Sequence, residues 1–328
     1  MYLITGIAGF IGSALARAVL AQGDQVRGFD NLSTGKRENI AEIADKIDFQ
    51  EADLLDFKAI QQACQGVDYV LHHAAIPSVP RSVKDPLESN RANVDATVNL
   101  LIAARDAKVK RVVYAASSSA YGDTPTLPKR EDMPPHPLSP YAVAKLAGEY
   151  YMSAFWRCYG LDTVSLRYFN IFGPRQDPNS PYSGVLAKFI TQMLRGEQPT
   201  IFGDGKQSRD FTYVENAVNA NLLVCKAPAE RLAGRAFNIA AGSRIDLNET
   251  FRLIKKLTGY SGEVKYGPER AGDVKHSRAD LSLAKKQLGY QPTVNFEEGL
   301  RRTIDWYRSQ SQKPQLRRFP KLLKRRER

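Results

Sequence analysis

The chain has few cysteines and histidines and no long apolar run. Its three cysteines are odd in number and lie in apolar surroundings, which predicts reduced core thiols (Cys64, Cys158 and Cys225). The four histidines lack metal-ligand spacing, so no metal site is expected. No stretch approaches the ~18 consecutive apolar residues of a membrane span. A strand pattern starts at Tyr2, which leaves no room for a signal peptide. We therefore expect a cytoplasmic protein without a metal.

The positive charge of the chain is concentrated at its C-terminal end. The formal net charge is +12, but residues 313–328 hold eight Lys or Arg and one Glu and so carry +7 of it. We expect residues 311–328 to form a solvated basic tail, which could make weak contact with an anionic membrane surface. The remaining charge is modest, and no nucleic-acid partner is expected.

The first thirty residues contain a strand, a glycine turn, a helix, a second strand and an acid. Residues 2–5 are apolar, and Gly6, Gly9 and Gly12 follow at three-residue spacing as an apolar helix pattern begins. Glycines let a turn tighten against a pyrophosphate, and the helix N-terminus supplies free N–H groups and a positive dipole. The second strand ends on Asp30. This order predicts a dinucleotide-binding unit.

Asp30 predicts which dinucleotide is bound. A carboxylate at this place accepts hydrogen bonds from the adenosine ribose and repels a 2′-phosphate. NAD is therefore favoured over NADP, although the basic residues Lys36 and Arg37 follow closely and could accommodate the extra phosphate.

Strand and helix patterns alternate up to about residue 169, which predicts an α/β fold with a Rossmann-like, doubly wound parallel sheet. The predicted strands are residues 2–5, 25–30, 47–52, 68–74, 111–117 and 161–168, and the predicted helices are residues 10–22, 56–65, 86–107 and 141–158. Later elements are shorter and interrupted by prolines. We expect residues 1–169 to form mainly the NAD-binding domain. Residues 170–310 are expected to form mainly a smaller α/β substrate-binding lobe, interleaved with the first.

A second motif lies on the predicted helix 141–158. Tyr141-Ala142-Val143-Ala144-Lys145 places a Tyr and a Lys on one helical face, and Ser117 ends the preceding strand. A nearby ammonium favours phenolate, so we expect Lys145 to lower the pKa of Tyr141 and make it a general base. With the Gly-x-x-Gly-x-x-Gly turn, this motif resembles the short-chain dehydrogenase/reductase superfamily.

The resemblance narrows to the extended branch of that superfamily, the nucleotide-sugar epimerases and dehydratases. It rests on Asp53-Leu54, Ala74-Ala75, the Tyr168-Phe169-Asn170-Ile171-Phe172-Gly173-Pro174 segment, and Arg209-Asp210-Phe211. It implies catalytic roles for Tyr141, Lys145 and Ser117. The cofactor-binding residues that it implies are Gly6, Gly9, Phe10, Ile11, Gly12, Asp30, Asn31, Ser33, Gly35, Asp53, Leu54, Ala74, Ala75, Asn93, Tyr141, Lys145, Tyr168 and Phe169. The substrate-binding residues that it implies are Ser78, Ser117, Ser118, Asn170, Gln176, Arg209, Arg270, Asp273 and Ser277.

The two residues after Ser117 indicate the reaction. Dehydratases of this branch carry Asp-Glu there and decarboxylases of UDP-glucuronate carry Glu at the second position, whereas this chain has Ser118 and Ser119. The resemblance therefore implies C4 epimerisation of a UDP-hexose through a 4-keto intermediate. Tyr141 would take the O4 proton, Ser117 would hydrogen-bond O4, and Lys145 would hold the nicotinamide ribose.

The sugar is predicted from a few positions. Ser277 stands where some 4-epimerases of this family have a bulky Tyr that excludes an N-acetyl group. The 78–82 segment and Gln176 also resemble bacterial UDP-N-acetylglucosamine 4-epimerases of surface-polysaccharide pathways. We expect the UDP-GlcNAc/UDP-GalNAc pair, with activity on UDP-Glc/UDP-Gal as well.

Two alternatives remain open. One is a UDP-glucuronate 4-epimerase, in which Arg81, Arg175 or Lys188 would pair with the sugar carboxylate. The other is a non-catalytic NAD-binding sensor of the same fold.

The family resemblance further implies a homodimer in which the helices near 86–107 and 141–158 of each subunit form a four-helix interface. The apolar residues of these helices that could take part are Val94, Val98, Leu101, Ile102, Ala147, Tyr151, Ala154 and Phe155.

Overall fold

The computed structural model of the chain describes residues 1–178, 184–269 and 274–312, except the side chains of Ser311 and Gln312. The strands within these ranges are β1 Tyr2–Thr5, β2 Val26–Asp30, β3 Ile47–Glu51, β4 Tyr69–His72, β5 Arg111–Ser117, β6 Thr163–Tyr168, β7 Ile171–Phe172, β8 Thr200–Phe202, β9 Ser208–Arg209, β10 Thr212–Tyr213, β11 Ala236–Ile239, β12 Ile245–Asp246 and β13 Lys265–Gly267. The α-helices within them are α1 Phe10–Ala21, α2 Phe57–Ala63, α3 Val79–Lys84, α4 Pro86–Asn90, α5 Ala96–Asp106, α6 Pro140–Tyr159, α7 Val185–Leu194, α8 Val214–Lys226, α9 Ala229–Leu232, α10 Leu247–Thr258, α11 Ser282–Leu288 and α12 Phe296–Gln312.

The main sheet has seven strands in the order β3-β2-β1-β4-β5-β6-β11. Every neighbouring pair in it is parallel. The chain winds outward from β1 to β3 and then returns to place β4 on the other side of β1. The strand order therefore reverses between β1 and β4, as in a doubly wound fold. The predicted α/β class and sheet type are confirmed.

Both faces of the main sheet are covered by helices. Successive strand residues point to opposite faces, so Leu3 packs in one apolar cluster and Ile4 in the other. Val112 and Val113 divide in the same way. Helices α1 and α8 cover one face, whereas α2, α5 and α6 cover the other. This double coverage explains the nearly continuous apolar character of the strands.

The elements after residue 169 contribute to two parts of the molecule. The strand pairs β7–β10, β9–β12 and β8–β13, with helices α7, α10 and α12, form a smaller mixed region. Strand β11 and helix α8 instead return to the main sheet, where β11 pairs with β6. The boundary at residue 169 stays a prediction.

Several elements differ from the sequence predictions. Strand β11 was not predicted, and α3 precedes the predicted helix 86–107. That helix is divided into α4, a π-helical turn at Arg91–Asp95, and α5. The last helix continues through Gln312, so the predicted start of the tail at residue 311 is corrected. No proline interrupts the helix before Pro314. Residues 313–328 lie outside the described ranges.

Within the described part of the chain, no helix is both long and apolar enough to cross a membrane.

Candidate active site

A cleft of about 1400 Å³ opens where the strand order of the main sheet reverses. It is bordered by the segments that follow β1 and β4 and by the end of β5. Ligands of open parallel sheets bind at this position. Every predicted cofactor-binding residue except Asn93 and Phe169 lines the cleft, and so does Ser117.

The glycine turn at the base of the cleft has no room for side chains at Gly6 and Gly12. Gly6 has φ +69°, and a Cβ there would lie 2.7 Å from the backbone nitrogen of Ala74. A Cβ on Gly12 would overlap the Gly6 carbonyl oxygen. Helix α1 follows with Gly9 as its N-cap and no side-chain cap, so its first-turn N–H groups face the cleft. Such an uncapped helix start suits a pyrophosphate.

Asp30 joins the glycine turn to the loop that follows β2. Its Oδ2 accepts from the Ala8 N–H at 2.9 Å, and its Oδ1 accepts from the Leu32 N–H at 2.8 Å. An ionised carboxylate has about four acceptor positions, so each oxygen keeps one for a ribose hydroxyl. Nearby, Asp53 Oδ2 accepts from the Asn31 side-chain amide at 2.7 Å. These bonds fix the acidic end of the cleft in place.

The two basic residues beyond Asp30 have acidic partners. Lys36 Nζ lies 2.8 Å from Asp177 Oδ2, which spans the cleft to the segment after β7. The Arg37 guanidinium pairs with Glu51. Both cations that could accommodate a 2′-phosphate are therefore bound to carboxylates, which favours a dinucleotide without that phosphate.

The predicted catalytic residues meet at the carboxyl end of β5. Ser117 ends this strand, and α6 packs on β5 and carries Tyr141 and Lys145 one helical turn apart. Ser117 Oγ accepts from the Ser119 N–H at 3.2 Å and from the Ser119 hydroxyl at 2.9 Å. Its own proton is therefore available to donate, and the Tyr141 hydroxyl is its neighbour. All three predicted catalytic residues line the cleft.

Burial is the main influence on the pKa values of this group. Burial raises the pKa of Tyr141, and the hydrogen bond from Ser117 opposes that rise. Lys145 Nζ donates to the Ala115 carbonyl at 2.9 Å and lies 4.8 Å from the centre of the Tyr114 ring. The ammonium is thus held against β5, and the lowering of the Tyr141 pKa by Lys145 stays a prediction. Burial lowers the pKa of Lys145 to about 8.

His73 belongs to the cleft, although the sequence prediction did not include it. Its Nε2 lies 3.0 Å from the Tyr168 hydroxyl, which accepts from the Asn221 side-chain amide at 2.6 Å. The Tyr168 proton is therefore available to His73 Nε2. Burial lowers the pKa of His73 to about 3, so the ring is neutral. Its place between β4 and Ala74-Ala75 was the available sequence clue.

Two serines fix the start of the catalytic helix. The Tyr141 N–H donates to Ser82 Oγ at 3.0 Å, and the Ala142 N–H donates to Ser139 Oγ at 3.2 Å. Ser139 followed by Pro140 is an ordinary helix start that the sequence reveals. Ser82 lies on α3, and its contact with α6 has no local sequence pattern.

Asn93 and Phe169 lie behind the cleft. Asn93 is buried in the π-helical turn, where its Oδ1 accepts from the Ile76 N–H at 2.8 Å and its Nδ2 donates to the Ile76 carbonyl at 3.3 Å. It thus holds the loop after β4 rather than the cleft itself. Phe169 is buried in a small apolar cluster with Tyr121, Ala240 and Ala279.

The predicted substrate-binding residues divide into three groups. Ser78, Asn170 and Gln176 line the cleft together with Ser117. Ser118, Arg209 and Ser277 do not line it. Arg270 and Asp273 lie outside the described residues.

The three residues outside the lining lie nearby on other elements. Ser118 begins the 3₁₀ turn Ser118–Tyr121. Arg209 donates to the Lys275 carbonyl at 3.2 Å and borders a separate cavity of about 190 Å³. The Ser277 N–H donates to the Ser208 carbonyl at 3.1 Å. Backbone pairing thus holds Ser277 beside β9 rather than at the cleft wall.

The arrangement can exchange a proton and a hydride with a bound alcohol. A tyrosine and a serine that share a hydrogen bond can remove or return a hydroxyl proton, and a buried lysine lies one turn away. The uncapped helix start, the glycine turn and Asp30 fit a dinucleotide, which supplies hydride chemistry when bound.

Comparisons with known proteins agree with this geometry. The sequence pattern described as "NAD dependent epimerase/dehydratase family" matches residues 2–240. The UDP-glucose 4-epimerase of Mycolicibacterium smegmatis is 40% identical over 314 residues, which cover 94% of this chain and 99% of that protein.

Two solved structures are similar over the same part of the chain. The UDP-glucose 4-epimerase of Thermotoga maritima with UDP-glucose is 39% identical with a TM-score of 0.90, covering 94% of this chain and 99% of that one. The UDP-N-acetylglucosamine 4-epimerase of Methanobrevibacter ruminantium with UDP-N-acetylmuramic acid is 41% identical with a TM-score of 0.90, covering 94% and 98%. The matched pattern covers most of the chain, and the relatives are about 40% identical over nearly their whole length. The cleft holds the glycine turn, Asp30 and the Ser117-Tyr141-Lys145 group that the resemblance implies. The chain therefore belongs to the NAD dependent epimerase/dehydratase family.

Proposed function

We propose that the protein catalyses the NAD-dependent epimerisation of a UDP-hexose at C4. One observation carries the proposal: Ser117, Tyr141 and Lys145 meet in a dinucleotide-type cleft, and serines occupy the two positions after Ser117. Similarity to UDP-glucose and UDP-N-acetylglucosamine 4-epimerases supports it.

The chain's own residues would hold the cofactor in three places. The α1 N-terminus and the glycine turn face the pyrophosphate, and Asp30 accepts from the adenosine ribose. Bound NAD would supply the hydride acceptor and donor for C4 of the sugar. Lys145 holds the nicotinamide ribose, and its ammonium already donates one hydrogen bond to Ala115.

Tyr141 and Ser117 would move the proton. Tyr141 takes the O4 proton when the 4-keto sugar forms and returns it when the alcohol is restored on the other face. Ser117 would turn its one proton from the Tyr141 hydroxyl to O4, since its oxygen accepts from Ser119 and cannot donate in that direction. Epimerisation needs no further acid or base, whereas elimination or decarboxylation would need a carboxylate where Ser118 and Ser119 stand.

The N-acetylated pair UDP-GlcNAc/UDP-GalNAc is the preferred substrate in this proposal, with UDP-Glc/UDP-Gal accepted as well. Ser78 and Gln176 line the cleft and carry part of the resemblance to UDP-N-acetylglucosamine 4-epimerases. A pocket that admits the larger N-acetyl sugar discriminates weakly against the smaller one.

UDP-glucuronate is disfavoured because two of the proposed carboxylate partners are engaged. Arg81 Nε donates to Glu88 Oε2 at 2.8 Å, and the Arg175 guanidinium donates to Glu42 Oε2 at 2.9 Å. A sugar carboxylate would have to displace one of these glutamates.

The test is an assay of the purified protein on UDP-glucose, UDP-N-acetylglucosamine and UDP-glucuronate, with products resolved by anion-exchange chromatography. We expect C4 epimers of the first two sugars and the higher kcat/KM for the N-acetylated one. If UDP-glucuronate were the one sugar converted, the protein would be a UDP-glucuronate 4-epimerase and the proposed substrate would be wrong. Binding of NAD without turnover of any sugar would identify a sensor instead.

We further propose that the protein acts as a homodimer through the helices near 86–107 and 141–158, which are α4, α5 and α6, with α3 beside them. Helices α3, α4 and α6 pack together, and they expose the apolar residues Val83, Leu87, Tyr150 and Tyr151. The family resemblance implies that a second copy of the chain covers these exposed residues. Two members of the predicted interface, Leu101 and Phe155, are instead buried in the core of the subunit.

Light scattering of the wild type and of Tyr151→Asp tests this assembly. We expect a dimer for the wild type and a monomer for the variant, because the new charge would be buried between subunits. Tyr266→Asp, at an exposed tyrosine on β13, is the matched control and should remain dimeric. A monomeric wild type would contradict the proposal.

A further inference from the structure

A fully buried ion pair lies directly behind the catalytic group. Arg167 on β6 donates its Nε to both carboxylate oxygens of Glu149 at 3.0 and 3.1 Å, and its Nη2 to Oε2 at 2.7 Å. The side chains are only 8% and 5% exposed. The Arg167 guanidinium also stacks 4.8 Å from the centre of the Tyr121 ring. The pair therefore joins α6 rigidly to the neighbouring strand.

Glu149 follows Lys145 by one turn of α6. Residues four apart are neighbours on a helix face, so the carboxylate and the ammonium lie on the same side of α6, against the sheet. Glu149 does not line the cleft, whereas Lys145 does. Glu149 can therefore act on the reaction only through Lys145 and the position of the helix.

We propose that Glu149, fixed by its bonds to Arg167, is a positioning residue that keeps the buried Lys145 side chain charged at the cleft wall. The expected effect of Glu149 on turnover rests on the proposed epimerase function. The effect on Lys145 itself does not.

The charge balance around Lys145 supports this role. Burial lowers the pKa of Lys145, and the Glu149 carboxylate is the charge that opposes the fall. Without the carboxylate, Lys145 would lose its proton at lower pH. The titratable groups that face Lys145 or the ion pair from the surrounding elements are Tyr141 on α6, Tyr114 on β5, His72 on β4, His73 after it, Tyr121 after β5, and Glu131 in the following loop.

The experiment measures Lys145 directly rather than activity. The holoenzyme is labelled with acetic anhydride from pH 6 to pH 10, and acetylation of the Lys145 peptide is followed by mass spectrometry. Only the neutral amine reacts, so the midpoint of the rate reports its protonation. In Glu149→Gln we expect the midpoint to move about one pH unit lower, the usual scale for a lost neighbouring charge.

Two further variants keep the test decisive. Glu149→Gln combined with Arg167→Met removes both buried charges, so it avoids an unpaired arginine if the single variant folds poorly. It should lower the midpoint in the same direction. Glu149→Asp keeps the charge and should restore the wild-type midpoint.

The matched control is Asp162→Asn. Asp162 forms a comparable buried pair with Arg111, whose Nε donates to Oδ2 at 2.6 Å at the amino end of the sheet, away from the cleft. It should lose stability as the Glu149 variants do but keep the wild-type midpoint. An unchanged midpoint in both Glu149→Gln variants would overturn the proposal.

A second measurement connects the ion pair to turnover. If the wild type epimerises UDP-sugars, the alkaline limb of kcat should move to lower pH in Glu149→Gln, with little change in KM. A shifted labelling midpoint without wild-type turnover would refute the proposed function and leave this inference intact. Wild-type turnover with an unshifted midpoint would refute this inference alone.

Discussion

Removal of the Tyr141 hydroxyl is the most direct perturbation of the proposed chemistry. The Tyr141→Phe substitution keeps the ring and the start of α6, since the Tyr141 N–H bond to Ser82 belongs to the backbone. The hydroxyl has Ser117 as its neighbour, and Ser117 keeps both hydrogen bonds from Ser119. The substitution therefore removes only the acceptor of the Ser117 proton, at the cleft lining, while Ser117 Oγ stays bonded to Ser119.

This geometry separates the effect on stability from the effect on activity. Loss of one side-chain hydrogen bond of this kind should change the free energy of unfolding by about 1 kcal/mol or less. Loss of the general base should lower kcat by roughly 10²–10⁴-fold. NAD binding should persist, because the glycine turn, the α1 N-terminus and Asp30 are untouched.

Single-turnover and steady-state assays with UDP-glucose, together with urea unfolding and NAD titration, measure all three quantities. Tyr114→Phe is the matched control: its hydroxyl lies on β5 behind Lys145, 3.5 Å from the Lys145 carbonyl, and does not line the cleft. It should keep activity within a few-fold. Near-wild-type turnover by Tyr141→Phe would refute the assignment of the base.

Three further outcomes are expected. The family resemblance implies that Ser277 lies beside C2 of the sugar, whereas the structure holds it beside β9, outside the cleft lining. If the sugar reaches Ser277, Ser277→Tyr should lower kcat/KM for UDP-N-acetylglucosamine by about 10–200-fold and spare UDP-glucose, whereas equal losses or no loss would place Ser277 away from C2. Between pH 7 and pH 5 the unfolded state protonates His73 while the folded state does not, so stability should fall by on the order of 1 kcal/mol from this group. His73→Leu should remove that part of the loss in urea titrations. Truncation after Gln312 should leave turnover unchanged, and liposome sedimentation at low and high salt would detect any lipid binding by the basic tail.

The cofactor half of the site was predictable because its pattern is local. Strand, glycine turn, helix and acid all lie within the first thirty residues, and β1 and β5 begin and end at the predicted residues. The three glycines are required by contacts that form within the same unit, as for Gly12 against the Gly6 carbonyl. The predicted family is confirmed by the match over residues 2–240.

Elements that depend on distant partners were not predictable. Strand β11 has four residues, and one of them, Asn238, is polar and fully buried. Its amide donates to the carbonyls of Lys129 and Asp280, which lie far from it in sequence. The break between α4 and α5 likewise accompanies the bonds of Asn93 to Ile76 across the fold.

The charges around the catalytic group also depend on residues that are distant in sequence. From the sequence, the Tyr141–Lys145 spacing alone predicts that the ammonium favours a phenolate. In the structure the ammonium donates to the Ala115 carbonyl on β5, and the Glu149 carboxylate, which opposes the lowering of the Lys145 pKa by burial, is fixed by Arg167 on a different strand. Spacing along one helix identifies which groups can react. The state in which they react is set by side chains that only the folded sheet brings together.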